Sequence, residues 1–306
     1  MRFRCRLTDE NATLLHSLIN SFERIAKNAV FYLSPDTVNI SLITDASSAP
    51  KGFAELRVQQ LFSEYRIESQ SSNSILVEVS LQPLQKALLS CKSSQCQIKL
   101  VKRGDRPCLC VEVHSTANDS STLNIQHDVP IKLHKASDIL HYIPPDVPPP
   151  HVALELPRNY KLKAVVEKLG KLAKQATIHA YQQHFTKGGR LIFSVQHSAA
   201  TIKAVFHGLE SSVLDADIGP NQITADSKAS VQIDLKKLSA VLAVMAVSYT
   251  SCDHASLYIV DTTALIVHLM LTGGVGNVSL YMPVVYSEDD GDNEQTGLRF
   301  DNTWAD

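Results

Sequence analysis

The fold is decided by two similar stretches of sequence, RIAKNAVFYL at residues 24–33 and KLAKQATIHA at residues 171–180, which lie 147 residues apart. Two further pairs align at nearly the same offset. VEVSLQPLQKAL, from Val77, matches VQIDLKKLSAVL, from Val231, at 154 residues, and DVPIKL, from Asp128, matches YMPVVY, from Tyr281, at 153 residues. Three pairs in the same order predict two tandem domains that share one sequence of elements.

Each half alternates short strand-like segments with a few helical ones. The strand candidates are apolar at every second position or rich in β-branched residues. In the first half they are MRFRCRL, AVFYLSP, TVNISLI, GFAELRV, SILVEVS, CQIKLV and CLCVEV. Apolar residues at helical spacing predict one amphipathic helix over residues 13–27 and a shorter one from Leu81 to Leu88. Two helices on one face of an antiparallel sheet in each half give the predicted fold class, α+β.

The chain is longer than one hydrophobic core usually serves, and its prolines show where it divides. Residues 135–151, KASDILHYIPPDVPPPH, hold five of the 13 prolines and predict an extended connector. We therefore expect an N-terminal domain at 1–134, a connecting loop at 135–150 and a C-terminal domain at 151–287. The polar stretch 209–230 is expected to be a mobile surface loop, and the acidic tail 288–306 is expected to be disordered.

We expect the chain to stay inside the cell. No apolar run approaches the length of a membrane span, and MRFRCRLTDE lacks the apolar region expected of a signal peptide. Six cysteines in strand-like or apolar surroundings are expected to be free, buried thiols without disulfides. The net charge of −2 includes a tail with seven Asp or Glu and one Arg, so the rest of the chain is mildly basic.

Basic residues gather on the predicted outward faces of the helices. In the predicted helix 159–174 the inward side is apolar and includes Leu172, whereas the first helix points His16 outward with its basic residues. These lysines and arginines are either ordinary solvated charges or a phosphate-binding surface that does not read bases. The candidates are Arg24, Lys27, Lys86, Lys163, Lys168, Lys171, Lys174, Lys236 and Lys237.

Four segments together resemble a known family. MRFRCRL, FERIAKNAVFYLSPDTVNISL, NIQHDVPIKL and VQIDLKKLSAVLA are similar, in order and spacing, to the Hus subunit of the heterotrimeric nine-one-one DNA-damage checkpoint clamp. The resemblance spans residues 1 to about 286. It implies a PCNA-like clamp fold: two domains per subunit, helices inside and sheets outside, and three different subunits that close a ring around duplex DNA. The basic candidates would then face DNA without sequence specificity.

The resemblance also implies partners and a location. We expect two dissimilar clamp subunits, a clamp loader, and checkpoint and repair proteins that bind the ring, with no cofactor and no membrane. The expected location is the nucleus, with a cytoplasmic pool also allowed. Residues 135–150 would form the interdomain loop, with Ile139, Tyr142, Ile143 and Pro144 as candidate residues.

Exposed strand edges are expected to join the subunits, because unpaired backbone groups can pair with a neighbouring chain. We consider CLCVEVHS at residues 108–115, TIHAYQQ at residues 177–183 and HASLYIVD at residues 254–261 as edges, with an interior position as the alternative. The interface candidates are Cys108, Cys110, Val111, Val113, Ile178 and Tyr181.

The sequence contains little that would indicate an enzyme. There is no P-loop and no G-x-G-x-x-G motif, and Cys108 and Cys110 lack the spacing of a zinc site. His127 and Asp128 would point to opposite faces of a strand. We therefore expect no enzyme, no catalytic residue and no metal. The alternatives are a homotrimeric PCNA-type replication clamp, and a two-domain enzyme or peptide-binding module with merely solvated lysines.

Overall fold

The structure is a computed structural model that describes most of the chain. The described residues are 1–44, 46, 48–91, 95–116, 122–156, 161–183, 188–198, 200–212, 226–248 and 252–285. The predicted acidic tail and residues 213–225 of the predicted loop lie outside them. The chain divides into two compact units: Met1–Thr44, Gly52–Pro144 and Met270–Val278 form one, and Asp45–Lys51, Pro145–Leu269 and Ser279–Asp306 form the other.

The first half of the chain folds into an antiparallel sheet with helices against it. The elements are β1 (Arg2–Leu7), α1 (Asp9–Phe22), β2 (Asn28–Leu33), β3 (Thr37–Ile43), β4 (Lys51–Arg57), α2 (Val58–Leu61), β5 (Phe62–Glu68), β6 (Ile75–Ser80), α3 (Leu81–Leu89), β7 (Gln95–Arg103), β8 (Arg106–Thr116), β9 (Thr122–His134) and a 3-10 helix (Ala136–Tyr142). Neighbouring strands follow the order β4-β3-β2-β6-β9-β8-β7-β1-β5.

The second half repeats this arrangement. Its elements are β10 (Val152–Glu155), α4 (Lys161–Leu169), β11 (Gln175–Gln183), β12 (Gly189–His197), β13 (Ala200–Leu209), β14 (Asp226–Asp234), α5 (Leu235–Ser248), β15 (Cys252–Val260), β16 (Ala264–Leu271), a 3-10 turn (Thr272–Gly274) and β17 (Gly276–Pro283). The neighbours are β10-β15-β16-β17 in one sheet region and β13-β12-β11-β14 in the other. The predicted α+β class is confirmed.

In each unit two helices pack together and bury one apolar face. α1 contacts α3, and α4 contacts α5. α1 begins at its N-cap Thr8, whose hydroxyl accepts from the Asn11 N–H, and Asp9 and Glu10 occupy the first turn, where negative charge is favourable. α1 and α3 bury the side chains of Leu14, Leu18, Ile19, Phe22, Leu81, Leu84 and Leu88. Burying a large apolar side chain contributes about 1.5–3 kcal/mol, so this face holds the helices against the sheet.

The repeated sequences occupy equivalent positions in the two units. β2 pairs with β6 from Asn28 opposite Ser80, and β11 pairs with β14 from Gln175 opposite Asp234. These residues are related by the offsets of 147 and 154 that separate the repeated segments. The third pair agrees as well. Lys132 lies opposite Glu78, and the equivalent residues of the second unit are Val285 and Gln232. The Val285 N–H donates to the carbonyl oxygen of Gln232.

The structure corrects the predicted helix bounds. α1 ends at Phe22 and α4 ends at Leu169, so both stop five residues before the predicted ends at 27 and 174. The chain must leave each helix to enter β2 or β11, and the apolar spacing does not mark that exit. Two side-chain assignments are also wrong: His16 is buried, at 7% exposure, and Leu172 is 39% exposed.

Two predicted irregular segments contain regular structure. The connector is not extended throughout, because residues 136–142 lack proline and form the 3-10 helix, whereas all five prolines follow it. The predicted loop 209–230 is also too long at its C-terminal end. β14 begins at Asp226, where its backbone pairs with Gln183 of β11.

The three predicted edge strands are interior, so this prediction is wrong. β8 pairs with β7 and β9, β11 pairs with β12 and β14, and β15 lies between β10 and β16. Alternation of apolar residues shows that a strand has a buried face, but it does not show how many neighbours the strand has. Of the interface candidates, those on β8 and Ile178 are buried, and Tyr181 is 36% exposed beneath the guanidinium of Arg190.

Candidate nucleic-acid interface

The helices α1 and α4, which are equivalent in the repeat, end in the same turn. After α1, the Arg24 N–H donates to the carbonyl oxygen of Ser21 at 3.2 Å. After α4, the Lys171 N–H donates to that of Lys168, also at 3.2 Å. These bonds join residues three apart instead of four, which tightens the last turn and satisfies carbonyl groups that the helix leaves open. The turn places one basic side chain just beyond each helix.

A second bond closes each turn onto the neighbouring helix. The carbonyl oxygen of Lys27 accepts from the N–H of Leu81, the first residue of α3, at 2.9 Å. The carbonyl oxygen of Lys174 accepts from the N–H of Leu235, the first residue of α5, at 3.0 Å. The backbones of Lys27 and Lys174 are therefore fixed to the starts of α3 and α5.

The four basic side chains of these turns are all exposed. Arg24 and Lys171 are equivalent in the repeat, as are Lys27 and Lys174. They lie past the C-termini of α1 and α4, not on the helix faces where the sequence placed them. Positive charge is favourable at a helix C-terminus, because the last carbonyl groups carry partial negative charge. The repeat therefore preserves two basic positions in each unit.

The other basic candidates differ in their surroundings. Lys86 and Lys168 are exposed in the last turns of α3 and α4, and Lys236 is exposed in the first turn of α5. Lys163 is half-buried and lies 3.6 Å from the Glu167 carboxylate. Lys237 is half-buried, and its ammonium donates to the carbonyl oxygen of Ser48 at 2.5 Å. Lys163 and Lys237 thus already have partners in their own unit.

The second unit brings four of these lysines together around one open groove of about 820 Å³. The groove lies between the turn that follows α4 and the first turn of α5. We call it the lysine groove and define it by Lys168, Lys171, Lys174, Lys236, Leu172 and Leu235. The sequence predicted the lysines but not the groove, because it assigned Leu172 to the core. Gly170, directly after α4, was the available signal that the helix stops there.

The lysine groove carries net positive charge. Glu167 is its one acidic lining residue, and its carboxylate already lies close to Lys163. The carboxylate of Asp234 instead caps α5, where it accepts from the backbone N–H groups of Lys236 and Lys237 at 2.9 and 3.1 Å. Among the described residues, none of the four groove lysines forms an ion pair. The groove can therefore attract an anionic ligand.

The interdomain-loop candidates lie on the 3-10 helix and just after it. Tyr142 is buried against Val30 and Leu76, and its carbonyl oxygen accepts from the Ser41 hydroxyl at 2.5 Å. Ile139, one 3-10 turn earlier, packs on the same cluster. Ile143 and Pro144 are exposed.

A catalytic constellation does not assemble in the part of the chain that the structure describes. Ser90 Oγ and His127 Nε2 lie 3.0 Å apart, but the neighbouring Asp128 carboxylate binds Arg103 instead of orienting the imidazole. No group of three or more His, Cys, Asp or Glu in these residues is placed to hold a metal ion. The helices described are too short or too polar to cross a membrane.

The thiols of Cys5 and Cys110 are poor nucleophiles. All six cysteines are buried, and none of them forms a disulfide bond. Burial raises the pKa of the Cys5 thiol, and burial together with nearby carboxylates raises that of Cys110 to about 11. A thiol with a raised pKa is protonated near neutral pH and reacts slowly.

Comparison with known proteins identifies the family. The Hus1-like protein family matches residues 1–286. The chain belongs to the Hus1-like family. The human checkpoint protein HUS1 is 28% identical over 82% of this chain and 89% of its own, and the Dictyostelium discoideum checkpoint protein hus1 homolog is 25% identical over 93% and 99%. The resemblance seen in the sequence is confirmed.

The fold of this Hus1-like chain is also that of a PCNA of known structure. The crystal structure of PCNA from Thermococcus kodakaraensis superposes with a TM-score of 0.66, at 18% identity, and covers 92% of this chain and 100% of that one. At this identity the likeness concerns the fold alone. The predicted PCNA-like fold is confirmed.

Proposed function

We propose that this Hus1-like chain is a non-catalytic subunit of a heterotrimeric ring that encircles duplex DNA at sites of damage. The ring would serve as a scaffold for checkpoint signalling and DNA repair. The observation that carries the proposal is the repetition of basic residues: Arg24 and Lys27 in one unit recur as Lys171 and Lys174 in the other. A single exposed lysine is ordinary, but two repeated positions in equivalent turns favour a common ligand.

The chemistry of these positions suits a protein that slides. Ammonium and guanidinium groups bind phosphate oxygens, which occur at every nucleotide and carry no sequence information. Lys86, Lys168 and Lys236 add positive charge beside the turns in their own units. A ring held by such contacts can move along DNA because no base-specific bond has to break.

Strand edges supply a way to assemble the ring. Among the described residues, β13 pairs with β12 alone, and residues 122–130 of β9 pair with β8 alone. Unpaired backbone groups on such strands can pair with a strand of a neighbouring chain. We therefore propose β13 and the first part of β9 as the subunit joints, in place of the interior strands that the sequence suggested.

The partners of the proposed ring follow from the family. Human and Dictyostelium discoideum relatives are named as checkpoint proteins, and the chain is more similar to them than to the PCNA of known structure. We propose two dissimilar clamp subunits, an ATP-driven loader, and checkpoint and repair proteins as partners, in the nucleus. The PCNA-like fold also admits a homotrimeric replication clamp, which would need no other subunit.

Neutralising the turn of α4 tests the DNA contact. We expect the triple variant Lys168→Ala, Lys171→Ala and Lys174→Ala, assembled with its partner subunits, to bind DNA more weakly. The slope of log affinity against log salt should fall by about one unit per lost phosphate contact. DNA affinity at several salt concentrations measures both effects.

The matched control removes three basic residues from strands. Lys102→Ala, Arg106→Ala and Lys132→Ala change the net charge equally but lie on β7, β8 and β9. This variant should keep most of the salt slope. An unchanged slope in the α4 variant, or an equal loss in both variants, would rule out the proposed DNA surface.

A further inference from the structure

The lysine groove has a mixed lining that phosphates alone do not explain. Besides its four lysines it exposes apolar surface from Leu172, Ala173 and Ala164. Leu172, which follows α4, is 39% exposed. A DNA backbone uses the positive charge of such a groove but gains nothing from its apolar floor. A peptide that carries both carboxylates and apolar side chains would use both.

The chain itself contains such a peptide. Residues 288–306 hold seven Asp or Glu and one Arg, together with Leu298, Phe300 and the single tryptophan, Trp304. The segment lies beyond residue 286, where the family match ends. Its charge complements the groove, and its aromatic residues complement the apolar floor.

The segment also starts near the groove. Val285, the last described residue, donates its N–H to the carbonyl oxygen of Gln232 at 2.8 Å. Gln232 lies on β14, three residues before Leu235, and its amide donates to Gln175, which directly follows Lys174. A chain of ten residues spans up to about 35 Å when extended, so the segment is long enough to turn back.

We propose that the acidic C-terminal segment, residues 288–306, docks in the lysine groove and competes there with DNA. The docking stands on the groove and the sequence of the segment, whereas the competition rests on the proposed function. Covalent linkage gives the segment an effective concentration on the order of mM, so a weak contact is enough to fill the groove. DNA would bind in the groove only by displacing the segment.

Trp304 makes the docking measurable in the full chain without DNA. We expect acrylamide to quench Trp304 fluorescence slowly at low salt, because the docked indole is shielded. The variant Lys168→Glu, Lys171→Glu and Lys174→Glu should raise the quenching constant several-fold, and so should Asp289→Asn, Asp290→Asn and Asp292→Asn. Lys102→Glu, Arg106→Glu and Lys132→Glu should leave it unchanged. Equal quenching in the wild type and in both groups of charge variants would overturn the docking.

DNA binding by the assembled complex tests the competition separately. If the segment fills the groove about 90% of the time, neutralising it should raise the apparent DNA affinity about tenfold at low salt. Unchanged affinity in that variant would overturn the competition. If the triple Lys→Ala variant of the α4 turn still binds DNA more weakly than the wild type, the proposed function stands without this inference. If Trp304 is shielded but the Lys→Ala variant binds DNA normally, the docking stands and the proposed DNA surface fails.

Discussion

At the scale of single residues, a connected set of polar side chains crosses three neighbouring strands. Arg4 Nε donates to Gln97 Oε1 at 2.9 Å, and Gln97 Nε2 donates to Glu112 Oε2 at 3.0 Å. Lys99 Nζ lies 2.6 Å from Glu112 Oε1. The hydrogen bond from Lys99 lowers the pKa of the Glu112 carboxyl group, although burial opposes the shift. The set therefore ties β1, β7 and β8 together through charged Glu112.

We predict that Glu112→Gln lowers the free energy of unfolding by about 1 kcal/mol near neutral pH, because a charge-assisted hydrogen bond is lost. The pKa of Glu112 is lower in the folded state than its ordinary value of 4.5. Its stabilisation is therefore present above about pH 4.5 and is lost as the pH falls through the folded-state value. Urea unfolding at several pH values should show a shallower decline at acid pH for the variant.

Glu68→Gln is the control for this change, because the Glu68 side chain is 69% exposed beside Arg2. Exposed pairs contribute little, so its stability curve should follow the wild type. Identical pH dependence of wild type and Glu112→Gln would contradict the role given to the Lys99 contact.

Single-residue assignments from the sequence succeed where burial follows local spacing. The leucines at 81, 84 and 88 are buried as their helical spacing predicts. His16 and Leu172 fail because their exposure depends on what the rest of the fold places beside them. His16 lies against Gln85 of α3, a residue far away in the sequence, at 3.2 Å.

At the scale of elements, the 3-10 helix is anchored by its last residue, Tyr142. Tyr142 fills the cluster with Val30 and Leu76, and Ser41 binds its carbonyl oxygen. We predict that Tyr142→Ala costs about 3 kcal/mol and speeds hydrogen exchange of the backbone over residues 136–143, because a buried aromatic ring is removed.

The matched variant is Ile143→Ala, whose side chain is 53% exposed. It should change neither stability nor exchange by a measurable amount. Equal exchange over residues 136–143 in the wild type and Tyr142→Ala would show that the cluster does not anchor the helix.

The presence of each element is easier to predict from the sequence than the residue at which the element ends. Strand alternation is local, so β1, β2, β3 and β6 can be found from their own residues. The end of α1 is set by the entry into β2, and the 3-10 helix is set by a cluster with Val30 and Leu76. Such contacts join residues that are distant in the sequence, so no short pattern contains them.

At the scale of the whole molecule, the internal repeat is the strongest signal. The offsets of 147 and 154 residues recur in strand register and in the bonds that close the turns, as with Leu81 to Lys27 and Leu235 to Lys174. The fold class could be predicted because the same order of elements occurs in both halves of the sequence. It does not constrain strand edges in the same way, because a strand's neighbours follow from the complete sheet order.

The mass of the chain in solution tests the central claim, a subunit that needs two different partners. A chain of 33.6 kDa should sediment as a monomer alone and enter a 1:1:1 complex after mixing with two dissimilar clamp subunits. A stable trimer of the chain alone, with three times that mass, would contradict a heterotrimeric ring and indicate a homotrimeric replication clamp. Failure to assemble with the two clamp subunits would contradict the proposed ring.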